Sequence, residues 1–206
     1  MSRLEPGVEV KPVESSGRGG RHVRADARRN IETLLRTAME VFATSGVNVS
    51  SREIADKAGV GVGTLYRHFP QRSDLVVAVY RHEVDECAAE AAVIAREHDA
   101  VDALSLWFQR FLDFVAAKRG LAAALQSGDP AFASLPKYLE AHLLPAAQKL
   151  LDAAVATGEV RDDVGAWDLL RAVGSLSVPP GDVSPDHARR MVALLMDGLR
   201  THGSRG

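Results

Sequence analysis

The chain contains a single cysteine, Cys87. One thiol cannot close a bridge within the chain, and a redox switch would lack a resolving partner. Aromatic residues make up only 5%; with Ala, Leu, Val and Arg frequent, the balance favours helices over sheets. No apolar run approaches the ~18 residues of a membrane span. The first residues hold no apolar stretch of the signal-peptide kind, so the expected location is the cytoplasm. His82, Glu83, Glu86 and Glu90 stand at helical spacing. One histidine without a second His or Cys is a weak metal set, and a charged face on a long helix is ordinarily solvated. Neither a metal nor a cofactor is expected. Nucleophile–base pairs and phosphate-cradling loops are missing too, which argues against an enzyme.

What is present has the balance of a soluble globular protein: 206 residues, 46% hydrophobic and 25% charged, enough for one ordinary domain or two small ones. The net charge of −2 conceals an asymmetry. Residues 1–72 carry 12 Lys+Arg against 8 Asp+Glu, and residues 73–206 carry 13 against 19. The first part is therefore at +4 and the second at −6. Positive charge concentrated on one segment suits contact with phosphates, although chance asymmetry is the plainer reading.

That basic segment contains the most informative run, Ser51 to Phe69. Ser51 offers a hydroxyl cap for a short helix carrying Ile54 and the small Ala55. Gly59 follows where a positive φ would end that helix. Val60 returns to the core, and Leu65 would pack the inner face of a second helix. Small, apolar, glycine and apolar residues at these offsets form the skeleton of a helix-turn-helix.

Thr64-Leu65-Tyr66-Arg67-His68-Phe69, followed by Pro70-Gln71-Arg72-Ser73-Asp74-Leu75, closely resembles the N-terminal signature of the TetR/AcrR family of transcriptional regulators. Ala38, Phe42 and Gly46 of the preceding helix also fall where that family has them. The resemblance covers roughly residues 25 to 80. Lys118-Arg119-Gly120-Leu121 and Leu194-Leu195-Met196-Asp197-Gly198-Leu199 look like an actinobacterial-type subgroup. The resemblance implies a Tyr66 hydroxyl on a backbone phosphate, and at Arg72 a guanidinium where the family commonly has a phosphate-binding Lys. The plainer reading of Tyr66 is packing against the first helix.

Ser51, Arg52, Val62, Thr64, Arg67 and His68 are the further candidates at the DNA surface. Arginine pairs with guanine N7 and O6, and Val or Thr methyls can meet a thymine methyl. Arg52 could equally be a solvated surface residue. Gly61-Val62-Gly63 departs from the family pattern, which often has Ser and a polar residue there, and leaves a bare entry to the reading helix. Arg18, Arg21, Arg24, Arg28 and Arg29 could enter a minor groove or touch phosphate, Arg28 best placed; a solubilising tail reads equally well.

Residues 1–24, rich in Gly, Pro and Ser, read as a disordered basic arm. The first helix then carries Ile31, Leu34, Leu35, Ala38 and Phe42 to Gly46. A long helix from about Gln71 to Glu97 follows, then one from Asp99 or Ala100 to about Lys118. A short helix covers Leu121 to Gln126, and another begins at Ser134 or Pro136 and reaches Thr157. Further helices span Gly165 to Val178 and, capped by Ser184, Pro185 to about His202. The expected fold is all-α with about nine helices. A helix-turn-helix head (25–72) would be joined by the long helix to a ligand-binding and dimerisation bundle (73–206).

Trp107, Phe108 and Phe111 share one broad helical face, with Phe114 rotated away. They would line a ligand cavity with Leu125 and the polar Gln126, Tyr138 and His142, or simply fill the core. Leu169, Leu170 and Val173, and Ala188, Met191, Val192, Leu195 and Leu199, form two stripes that fit either a monomer core or a four-helix interface between copies. The reading adopted is a ligand-responsive regulator, a repressor rather than an activator. It would bind palindromic double-stranded DNA as a homodimer and be released by a small apolar effector, neutral or cationic. The alternative is a helical protein–protein adaptor that no longer reads DNA.

Overall fold

The computed structural model describes residues 17–176 and 185–201, with side chains of the first helix described from Arg29 onward. Among the described residues there are nine α-helices: α1 (Gly17–Ser45), α2 (Ser51–Lys57), α3 (Val62–His68), α4 (Arg72–Glu97), α5 (Ala100–Ala117), α6 (Ala122–Leu125), α7 (Leu135–Ala156), α8 (Ala166–Leu176) and α9 (Pro185–Gly198). Two 3-10 turns, Lys118–Leu121 and Pro130–Phe132, complete them. None of the described residues forms a strand; one isolated bridge pairs Val160 with Arg200.

Local chemistry sets most of these boundaries. The α2 cap is Ser50 rather than Ser51: its hydroxyl accepts the Glu53 N–H at 3.1 Å, while Ser51 is the first helical residue. Gly59 adopts φ 67°, as the turn requires. Val60 N–H then reaches back to the Ala55 carbonyl at 3.0 Å, closing the corner between α2 and α3. Gly46 ends α1 at φ 73°. A capping box starts α4, with Gln71 N–H donating to Asp74 Oδ2 at 2.9 Å. Asp99 caps α5 by accepting the Asp102 N–H at 3.0 Å.

Two elements, α1 and α9, differ from expectation. Helix α1 begins at Gly17, inside the segment read as disordered. Extending a helix needs no new nucleus, and Arg21 to Arg28 contains no proline to stop it. Residues 1–16 lie outside the described residues, as does Ser184. Helix α7 runs through Pro145, whose exposed position lets the helix continue past a missing N–H. Helix α9 stops at Gly198 instead of near His202, because the chain turns into pairing with Glu159–Arg161. Arg161 N–H donates to the Leu199 carbonyl at 2.9 Å, and Thr201 N–H to that of Glu159 at 2.8 Å.

One hydrophobic core runs from Leu34 in the head to Leu199 at the end of the body. Helix α4 is its spine: Leu75, Val76 and Val79 pack the head, and Val84, Cys87 and Ala91 lie in the body. The body's centre is aromatic. Trp107, Phe108 and Phe114 are at most 1% exposed, and Phe111 stacks between Trp107 and Phe114 with centroids 6.0 Å from each. Phe114 therefore joins the cluster from which helical spacing had separated it. The Trp107 indole N–H donates to the Cys87 carbonyl at 2.8 Å, tying α5 to α4.

Head and body also meet backbone to backbone. Gly120, in the first 3-10 turn, lies so close to the end of α1 that a Cβ there would sit 2.1 Å from the Phe42 carbonyl oxygen. Only glycine allows that approach.

Candidate nucleic-acid interface

Helix α3 is anchored by one fully buried residue and otherwise faces outward. Leu65 is 1% exposed, Val62 and Thr64 are half-buried, and Gly61, Gly63, Tyr66, Arg67 and His68 are exposed. Tyr66, at 53%, keeps about half of its side chain open to solvent. Arg52 is exposed and Ser51 half-buried at the start of α2. Beside them Lys57 pairs with Glu53 at 3.3 Å, a solvated i, i+4 contact worth little to stability. The Arg28 side chain, like those of Arg18, Arg21 and Arg24, lies outside the described residues.

Gly61 is the N-cap of α3, a position glycine suits, whereas Gly63, within the helix, has no packing explanation. A Cβ at Gly63 would meet nothing within 4 Å, and one at Gly61 only Thr64 Oγ1 at 3.8 Å. Glycine inside a helix costs about 1 kcal/mol relative to alanine. An exposed helix with that cost and no packing gain suits an outside surface approaching its backbone closely.

Arg72 is placed differently from expectation. Its Nε donates to the Val47 carbonyl at 2.9 Å, Nη2 reaches the same oxygen, and the guanidinium lies 5.0 Å from the centre of the Phe42 ring. Burial lowers its pKa, with Tyr66 opposing. In the free protein this side chain clamps α4 to the end of α1 instead of reaching outward.

The ligand-site residues separate into three groups. Trp107 and Phe108 are sealed in the core and line the wall of neither the cavity nor the second cleft described below. Tyr138 and His142 stack on one another at 4.0 Å along the α4–α7 seam, where the Tyr138 hydroxyl donates to Asp85 at 2.8 Å and His142 borders a separate cleft of about 310 Å³. Phe111, Leu125 and Gln126 do line a cavity, of about 430 Å³, between α5, α6, α7 and α8. Its remaining walls come from Val115, Lys118, Ala122, Leu139, Trp167, Leu170, Arg171 and Gly174. The separation is a matter of partners. Trp107 finds an acceptor on α4 and Tyr138 one on Asp85, neither visible along a single helix. Trp167, an exposed aromatic on amphipathic α8, was the sequence signal available for this wall.

The α6 segment is a thin partition. Ala122, Leu125 and Gln126 face this cavity. Ala123, Ala124 and Ser127 face a second cleft of about 430 Å³, bounded on the head side by Val47, Asn48 and Arg72.

The two C-terminal stripes are largely used within the protomer. Leu169, Leu170, Val173, Ala188, Val192 and Leu199 are buried at 7% or less, so they cannot also be an outer contact surface. Met191 and Leu195 are half-buried. The apolar groups facing out are Trp167 at 38% and Leu194 at 61%. Among the described residues no group of three or more His, Cys, Asp or Glu could hold a metal ion, and no helix is long and apolar enough to cross a membrane.

A three-helix head presenting an exposed α3, joined through α4 to a helical body with a cavity, defines a helix-turn-helix DNA-binding protein. Comparison with known proteins agrees. Residues 34–79 match the family described as bacterial regulatory proteins, tetR family, and residues 99–201 match the transcriptional regulator SbtR-like C-terminal domain. A TetR transcription regulatory protein from Mycobacterium vanbaalenii is 34% identical, with a TM-score of 0.72 over 87% of this chain and 99% of that one. A TetR transcriptional regulator from Streptomyces coelicolor is also 34% identical, with a TM-score of 0.68 over 83% and 98%. An HTH-type transcriptional regulator of Staphylococcus aureus is 29% identical over 109 residues, 52% of this chain and 59% of that protein. The chain thus spans about three fifths of the length of the curated relatives it matches. The chain belongs to the TetR family: it is a DNA-binding transcriptional regulator, not an enzyme. That sets aside the adaptor reading.

Proposed function

We propose that the protein is a ligand-responsive repressor that binds an inverted-repeat operator as a symmetric dimer. The observation that carries this reading is the exposed α3, mounted on the same core that ends at the cavity wall. Tyr66 supplies a hydroxyl for phosphate, Arg67 and His68 lie on the same short helix, and Arg52 stands at the adjoining end of α2. Phosphate contacts fix the register, and base contacts by Arg52, Thr64 or Val62 select the sequence. A dimer axis follows from the outward groups of α8 and α9, with Trp167 and Leu194 at its centre and Met191 and Leu195 beside them. Such a regulator acts where the chromosome is, in the cytoplasm.

Release of DNA would begin at the α6 partition. A molecule filling the cavity presses on Ala122 and Leu125, and the next turn carries Gly120 against α1. The effector acts only through its differential affinity for the two head positions, so it must prefer the one that no longer spans two grooves. Selection of duplexes from a random library tests the operator. Inverted repeats with half-sites one helical turn or a multiple apart are expected, and recovery of single unpaired sites would exclude the dimer reading.

A further inference from the structure

We propose that the cavity accepts an apolar molecule bearing a single carboxylate, held by Lys118 and Arg171; this rests on the ligand-responsive reading above. The wall contains two cations, and no Asp or Glu among the described residues. Some cations of the body have carboxylate partners, as Arg110 does with Glu90 at 2.6 Å and Arg189 with Asp113 at 2.7 Å. Lys118 and Arg171 form no ion pair among the described residues.

Lys118 is the more telling of the two. It is half-buried at the end of α5, and its ammonium lies over two rings, 5.2 Å from Phe114 and 5.7 Å from Tyr80. Ring faces attract a cation but replace lost hydration incompletely. Burial accordingly lowers the Lys118 pKa. A carboxylate entering the cavity would restore a full counter-charge where water is scarce. Arg171, exposed on α8, adds a second donor at the solvent side.

The rest of the lining limits the anion to one charge. Phe111, Leu125 and Leu170 are apolar, and Gln126 is the other polar side chain. A polyphosphate would leave charges unpaired against them. The −6 of residues 73–206 had suggested a neutral or cationic effector. Charges farther than about 8 Å are largely screened at physiological salt, so the two cations in the wall outweigh that sum.

The test is calorimetric titration of the full chain with 4-phenylbutanoate, 4-phenylbutanol and 4-phenylbutylamine, which differ only in the head group. The carboxylate is expected to bind about tenfold tighter than the alcohol, with the amine weakest. Lys118→Met and Arg171→Gln should each remove most of that preference while changing the alcohol's affinity far less. Should Lys118→Met fail to fold, Arg171→Gln, at an exposed position, still decides. The alcohol or amine binding as tightly as the carboxylate would overturn the assignment and leave a ligand-binding cavity. No binding and no thermal shift with any of the three would overturn the ligand-responsive reading as well.

Discussion

Replacing Gly120 with alanine tests how the body holds the head. The new Cβ would lie 2.1 Å from the Phe42 carbonyl oxygen, 2.5 Å from its carbon and 2.8 Å from Ala43 Cα. Carbon and carbonyl oxygen in contact stay about 3.3 Å apart, so the two segments must separate by roughly 1.2 Å. All three obstructing atoms are backbone, and no rotamer change relieves the clash. Overpacking of this kind costs about 1–3 kcal/mol. In a chain of this size each kcal/mol lowers Tm by about 2–4 °C. Opening the contact also moves α1, and with it α3, relative to the body. Gly120→Ala should therefore melt several degrees earlier and lose more affinity for its operator than for random duplex. Differential scanning calorimetry and fluorescence anisotropy read the two effects. Unchanged Tm and operator affinity would refute the close contact and its role in setting the head.

Arg72→Met should cost about 1–3 kcal/mol by removing two hydrogen bonds to the Val47 carbonyl; unchanged stability with a salt slope smaller by about 1 would return Arg72 to the phosphates. Leu194→Glu should give folded monomers in sedimentation, since Leu194 is 61% exposed, whereas Val192→Glu, at a site 0% exposed, should unfold the body. An intact dimer of Leu194→Glu would place the interface elsewhere. Cys87 is fully buried, and that burial pushes its thiol up to about 12 from 9.0. It should resist thiol reagents at pH 8 until denaturant is added, and rapid labelling of the folded chain would contradict its burial. Across pH 9 to 12 the unfolded thiol loses its proton while the folded one keeps it, so this group's contribution to stability falls as pH rises through that window.

What the sequence made legible was local. Gly59, Val60, Ala55 and Leu65 declare the helix-turn-helix because the turn's geometry is decided within a few residues. Pro185 marks the start of α9 for the same reason. Features settled by distant partners were not legible. Arg72 looks outward until Val47, 25 positions away, is seen to take its hydrogen bonds. The aromatic run on α5 looks like a cavity wall until Trp107 meets Cys87 and stacks with Phe111. The two C-terminal stripes show that α8 and α9 are amphipathic, but not that Leu169, Val173 and Val192 are consumed inside one protomer. The cavity was legible only in part: Phe111, Leu125 and Gln126 could be picked out, but the rest of the wall is assembled from four helices spread over residues 111–174.

The central claim is that exposed α3 reads DNA with the register set by Tyr66. The most direct test is fluorescence anisotropy at about 150 mM salt, comparing a selected operator with a scrambled duplex. Specific sites are ordinarily bound at least ~10³-fold tighter than random DNA, and the wild-type chain should show that ratio. Tyr66→Phe should weaken both duplexes by a similar factor, and Arg52→Ala should weaken the operator alone. Equal wild-type affinity for the operator and the scrambled duplex would contradict the account.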